Sequence, residues 1–100
     1  MPETVILPMG ATHVASVAET EKQCFSTPWS ENAIEQELHN DSALFFVAEN
    51  NGQVAGYIGM HTVLDECYIA NIAVKTAFRR MGIADSLLSA AENSAKEKGC

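Results

Sequence analysis

The stretch Tyr68 to Ala91, YIANIAVKTAFRRMGIADSLLSAA, most limits what this chain can fold into. Tyr68 to Val74 is a run of β-branched and apolar residues with little polar interruption, as expected for a strand covered on both faces. From Met81 or Gly82 onward, Ala84, Leu87, Leu88, Ala91 and Ala95 recur at three- and four-residue steps, the spacing of an amphipathic helix. Between strand and helix lies Arg79-Arg80-Met81-Gly82-Ile83-Ala84. A helix start leaves backbone N–H groups without partners and carries the positive end of the helix dipole. Gly82 and Ala84 keep side chains small there, and Arg79 and Arg80 add charge, so the turn suits phosphate groups. The plainer alternative is an ordinary turn with two solvated arginines.

The rest of the chain can be arranged around that unit. Thr4 to Pro8 is a short apolar strand, broken by Gly10. Thr12 is placed to cap a helix whose spaced positions are Val14, Val17, Ala18, Glu21, Cys24 and Phe25. Glu21 interrupts that apolar face and is expected at the helix edge, reaching solvent. Phe25 to Ser30 is a loop, and Glu31 to Asn40 a short acidic helix with Ile34 and Leu38 inward and Glu31, Glu35 and Glu37 outward. Ala43 to Glu49 and Gln53 to Val63 are strands joined by an asparagine–glycine hairpin turn. Gly56 and Gly59 within the second imply a bulge or a close-passing backbone. A reversal at Leu64-Asp65 then leads to Glu66 and the next strand. The order is β-α-α-β-β-β-α, an α/β (α+β) domain with a mostly antiparallel sheet.

At 100 residues the chain suits one domain. A formal net charge of −7 argues against nucleic acid and favours a cationic partner such as an amine or basic peptide, or simply solubility. Cys24, Cys67 and Cys100 show no CxxC spacing, and Cys24 and Cys67 are expected in or near the core. His13, His39 and His61 have no metal-site spacing, so no metal is expected. Residues 1–10 lack a signal-peptide pattern and no apolar run reaches membrane-spanning length, so the expected setting is cytoplasmic, with no membrane partner.

Arg-x-x-Gly-x-Ala after Asn71-Ile72-Ala73-Val74 resembles motif A of the GNAT N-acetyltransferases. Val63-Leu64-Asp65-Glu66, Asn71-Ile72-Ala73-Val74 and Phe25-Ser26-Thr27-Pro28-Trp29-Ser30 are similar to the bacterial RimI branch, which acetylates the N-terminal alanine of a small-subunit ribosomal protein. The resemblance implies acetyl-coenzyme A as cosubstrate. Its pyrophosphate would lie on Arg79, Arg80, Met81, Gly82, Ile83 and Ala84, and its pantetheine arm along Ile72, Ala73 and Val74. It also implies that residues 1–100 lack the C-terminal part of the domain, where the RimI branch carries a glutamate base and a tyrosine acid. The open sheet edge is then expected to be covered by a second copy, as a homodimer, or by further residues. The alternative is a cofactor-binding or dimerising module without catalysis.

Within this chain Glu66 is the best-placed carboxylate for a catalytic base, because it opens the strand that would carry the cofactor; a strand-end charge or an ammonium-binding residue is the alternative. Tyr68 could donate a hydrogen bond. Trp29 and Tyr57 are the candidates for lining the acceptor site; Trp29 could equally pin the second helix onto the sheet, and a structural or exposed role is the stronger alternative for Tyr57. Tyr57 and His61, four apart on one strand, share a face.

Overall fold

The computed structural model describes residues 4–64 and 66–99. Expectations for Asp65 and Cys100 lie outside the described residues. β1 (Thr4–Pro8), β2 (Ala43–Asn50), β3 (Gln53–Val63) and β4 (Glu66–Val74) form one antiparallel sheet in the order β1-β2-β3-β4. α1 (Val14–Cys24) and α2 (Glu31–Glu37) pack on one face, and α3 (Ile83–Glu97) on the other. The order agrees with the expectation.

Strand alternation divides the core. Phe45, Val47, Tyr57 and Ala73 face Val17, Ala18 and Ile34, whereas Ala48, Ile58 and Met60 face Ile83, Leu87 and Ala91. Two register shifts modify this. One in the β2–β3 pairing leaves Ala55 unpaired next to Gly56, so Val54 and Tyr57 share a face. The other, in the β3–β4 pairing, leaves Ala70 extra between Ile69 and Asn71, opposite Met60 and Gly59. A Cβ on Gly56 would lie 2.7 Å from the Ala73 carbonyl oxygen, and one on Gly59 would lie 2.5 Å from the Phe45 ring. The glycines therefore admit a neighbouring backbone and an aromatic ring. Asn51 and Gly52 both have positive φ, 54° and 79°, as a two-residue hairpin turn requires.

Several expectations need correction. Thr12 does not cap α1: it lies in a single 3-10 turn, Ala11–His13, that runs into the helix. α2 ends at Glu37, and Ser30 caps it through Oγ, which accepts from the Ala33 N–H at 3.1 Å. Glu37 turns inward, its carboxylate 2.7 Å from His61 Nε2. Ala84 is exposed; Ile83, Leu87 and Ala91 form the buried stripe of α3. β4 is not covered on both faces: it is an edge strand of this sheet, and Tyr68 and Ile69 are 51% and 52% exposed.

Candidate functional site

Two neighbouring regions are organised around β4. The first is the turn into α3. Arg80 and Gly82 have left-handed backbones, φ 66° and 74°, while Met81 between them does not. No side chain caps the helix, whose first backbone bond runs from the Ser86 N–H to the Gly82 carbonyl at 3.1 Å. The N–H groups of Ile83, Ala84 and Asp85 precede that bond, at the positive end of a 15-residue helix. Val74, Phe78, Arg79, Arg80, Gly82, Ile83, Ala84 and Asp85 line a cleft of about 360 Å³ here. Met81 is exposed beside it. Arg79 has a structural duty as well: its Nε donates to the Val74 carbonyl at 3.2 Å and Nη2 lies 3.6 Å from Cys24 Sγ. These contacts tie the end of β4 to the end of α1.

The second region centres on a residue expected in solvent. Glu21 is 0% exposed. Its Oε1 accepts from the Trp29 backbone N–H at 2.9 Å. Its Oε2 accepts from the Tyr57 hydroxyl and from Asn71 Nδ2, the latter at 2.9 Å. One carboxylate thus joins α1, the α1–α2 loop, β3 and β4 beside the Ala70 bulge. The expectation that Glu21 reaches solvent fails because these donors offset the desolvation of a buried charge. Its place among Val14, Val17, Ala18 and Cys24 on the apolar face was the available signal; the three donors come from residues up to 50 positions away.

Tyr57 is also fully buried, stacked against Phe45 with ring centroids 6.1 Å apart. Burial, then its hydrogen bond to Glu21 and the charge of that carboxylate, push its phenol far above the ordinary 10.0. It remains a hydrogen-bond donor. Direct contact with an acceptor is closed to it, which corrects the substrate-binding expectation: it reaches the site only through Glu21. Trp29 does line a hollow of about 300 Å³, with Glu21, Phe25, Ser26, Thr27 and Asn71, while its ring packs 6.3 Å from Phe45.

Glu66 lies at the far end of β4, exposed, accepting from the Tyr68 hydroxyl. That bond, then a small desolvation, raises the Tyr68 phenol above 10.0. Register puts Glu66, Tyr68 and Asn71 on the α1–α2 face, but Glu66 is about 15 Å along the strand from Asn71. Ile72 and Val74 face α3 and Ala73 faces α1. A larger polar hollow, about 550 Å³, lies elsewhere, beside His13, Glu49 and Lys75. There His13 already accepts the Gly10 N–H at Nδ1 and meets Glu49 at 3.0 Å. No group of three metal-ligating side chains occurs among the described residues, and no described helix is long and apolar enough to cross a membrane.

The sequence profile of the Acetyltransferase (GNAT) family matches residues 14–100. A Bacillus subtilis protein, provisionally named a ribosomal protein bS18-alanine N-acetyltransferase, is 36% identical over 83 residues, covering 82% of this chain and 55% of its own length. The ribosomal-protein-S18-alanine N-acetyltransferase of Escherichia coli superposes with a TM-score of 0.87 at 26% identity, over 97% of this chain and 62% of that one. The PaiA N-acetyltransferase of Thermoplasma acidophilum, solved in complex with coenzyme A, gives a TM-score of 0.87 at 17% identity over 97% and 74% and shares the fold. The chain spans about half the length of the curated relative it matches.

Proposed function

The chain belongs to the GNAT acetyltransferase family, and from that premise we propose that it binds acetyl-coenzyme A and acetylates the N-terminal α-amine of a protein, a ribosomal protein being the favoured acceptor. The observation that carries the reading is the uncapped start of α3 behind Arg79 and Arg80. The pyrophosphate would accept from the N–H groups around Gly82, Ile83 and Ala84, with Arg79, Arg80 and Met81 around it. The pantetheine would pair with the free edge of β4 at Ile72, Ala73 and Val74, as an added strand does. This arm is comparable in length with about four extended residues, about 13 Å, which brings the thioester to the Ala70 bulge. There a backbone N–H released from the ladder could polarise the thioester oxygen.

The acceptor would enter on the α1–α2 face, past Trp29. An α-amine, with an ordinary pKa of about 8, needs only a modest base. Glu66 is our candidate within this chain, acting through water across its distance from the bulge. The same edge of β4 could pair with a second copy, so acetyl-coenzyme A and homodimerisation would compete. The setting we propose is cytoplasmic.

Thermal stabilisation by acetyl-coenzyme A, followed by mass spectrometry of an alanine-initiated peptide, tests the reading. Stabilisation and a mass gain of one acetyl group support it. Stabilisation without transfer leaves a cofactor-binding module, and the absence of any stabilisation removes the cofactor.

A further inference from the structure

His61 on β3 and Glu37 at the end of α2 form a pair that the acetyl-transfer reading leaves unused. His61 Nε2 lies 2.7 Å from the Glu37 carboxylate. A carboxylate only accepts, so Nε2 carries the hydrogen and, in the neutral ring, Nδ1 keeps the lone pair. Among the described residues no hydrogen bond reaches Nδ1. The two side chains are 32% and 17% exposed, so water reaches the pair. Phe45 packs on the imidazole with ring centroids 6.2 Å apart, and Asn40 Nδ2 donates to the same Glu37 oxygen at 3.4 Å. The ring is thus fixed in tautomer and in place, its second nitrogen is open, and a carboxylate stands ready to stabilise the imidazolium.

Register sets His61 opposite Tyr68, on the sheet face that also carries Glu66 and Asn71. Tyr68 is two residues from Ala70 and two from Glu66, about 7 Å along the strand each way. His61 therefore stands midway along a gap too wide for one water to bridge. The titratable groups that face it are Glu37 from α2 and Tyr68 from β4, and the Tyr68 hydroxyl is already given to Glu66. β2 meets it with Ala43 and Phe45, neither of which titrates.

We propose that His61, oriented by Glu37, relays the proton from the acceptor α-ammonium at the Ala70 bulge toward Glu66. The proposal deepens the acetyl-transfer reading and rests on it. The ammonium gives one proton to a water, which passes one to Nδ1, and the freed nitrogen lone pair attacks the thioester carbonyl. Glu37 holds the imidazolium while it lasts. Nδ1 then gives up its proton through a second water to Glu66, which is exposed and releases it to solvent. The second N–H proton, lost as the C–N bond forms and the C–S bond breaks, leaves with the coenzyme thiolate. As a class, imidazoles near 6.5 match an α-amine near 8 more closely than carboxylates near 4.3 do, which suits a first acceptor.

Acetyl transfer to the tetrapeptide amide Ala-Gly-Gly-Gly is measured for wild type, His61→Gln, and His61→Ala with and without added imidazole. His61→Gln is expected to lower kcat by at least about tenfold, with little change in the acceptor KM and unchanged thermal stabilisation by acetyl-coenzyme A. Free imidazole should raise the kcat of His61→Ala by about tenfold and saturate, a rescue that a merely structural loss would not show. A smaller fall in kcat, a loss confined to KM, or no rescue by imidazole would overturn the relay. Should His61→Ala not fold, His61→Gln decides by its split between kcat and KM. Transfer that persists at full rate in His61→Gln removes the relay alone, whereas no transfer by wild type removes the acetyl-transfer reading and the relay with it.

Discussion

Replacing Tyr57 with phenylalanine tests the energetics of the cluster that holds the site together. The ring and its stacking on Phe45 remain, so the change removes one donor from a buried carboxylate and little else. A hydrogen bond to a charged group contributes about 1.5–3 kcal/mol, and the carboxylate left behind is less well satisfied. For a domain of this size each kcal/mol shifts Tm by roughly 5 °C, so Tyr57→Phe should melt about 8–15 °C lower. The pH dependence is a sharper test. The folded-state phenol pKa is raised, so the neutral form is favoured by folding. Below pH 10 both folded and unfolded chains hold the proton and this stabilisation is complete. Above it the unfolded chain releases the proton while the folded chain keeps it, and stability falls. The loss attributable to Tyr57 is about 1.4 kcal/mol at pH 11. Urea unfolding of wild type and Tyr57→Phe at pH 8 and pH 11 measures both effects. The variant should lose stability with pH less steeply by that amount. The chain has two tyrosines, so ultraviolet titration should show Tyr68 ionising in the native state and Tyr57 only on unfolding. Equal alkaline slopes, a cost under about 0.5 kcal/mol at pH 8, or two native-state phenol titrations near pH 10 would refute the reasoning.

Arg79→Ala with Arg80→Ala should weaken acetyl-coenzyme A binding at least tenfold and flatten its salt dependence, read by isothermal calorimetry at two ionic strengths. Glu66→Gln should lower the Tyr68 phenol pKa toward its ordinary value, seen by ultraviolet titration. Because Glu66 is the proposed base acting through water, the same variant should lower kcat by about a hundredfold with little change in the acceptor KM; an unchanged kcat would remove Glu66 from that role. Gly59→Ala should destabilise by about 1–3 kcal/mol in chemical denaturation, because the added methyl meets the Phe45 ring. Ser30→Ala should cost about 1 kcal/mol by loss of the α2 cap, without altering cofactor binding.

The sequence by itself determined the elements and the turn that leads into α3. β1 and β3 have the expected limits, the Asn51–Gly52 turn is where the residue types require it, and Arg79 to Ala84 joins a strand to a helix start. All of these rest on local chemistry: apolar period, the left-handed backbone that glycine and asparagine accept, and the donors that any helix start leaves open. Tertiary structure decided what Glu21 and Tyr57 do. A glutamate on an apolar helix face reaches solvent or turns inward according to whether donors meet it, and its donors come from Trp29, Tyr57 and Asn71 on three other elements. The sheet order likewise made β4 an edge strand, and the unpaired Ala70 set which of its side chains face α1 and α2. Periodicity is written along one segment. The hydrogen-bonding of a buried carboxylate and the register of a ladder are properties of segments brought together from distant parts of the chain, and only folding fixes them.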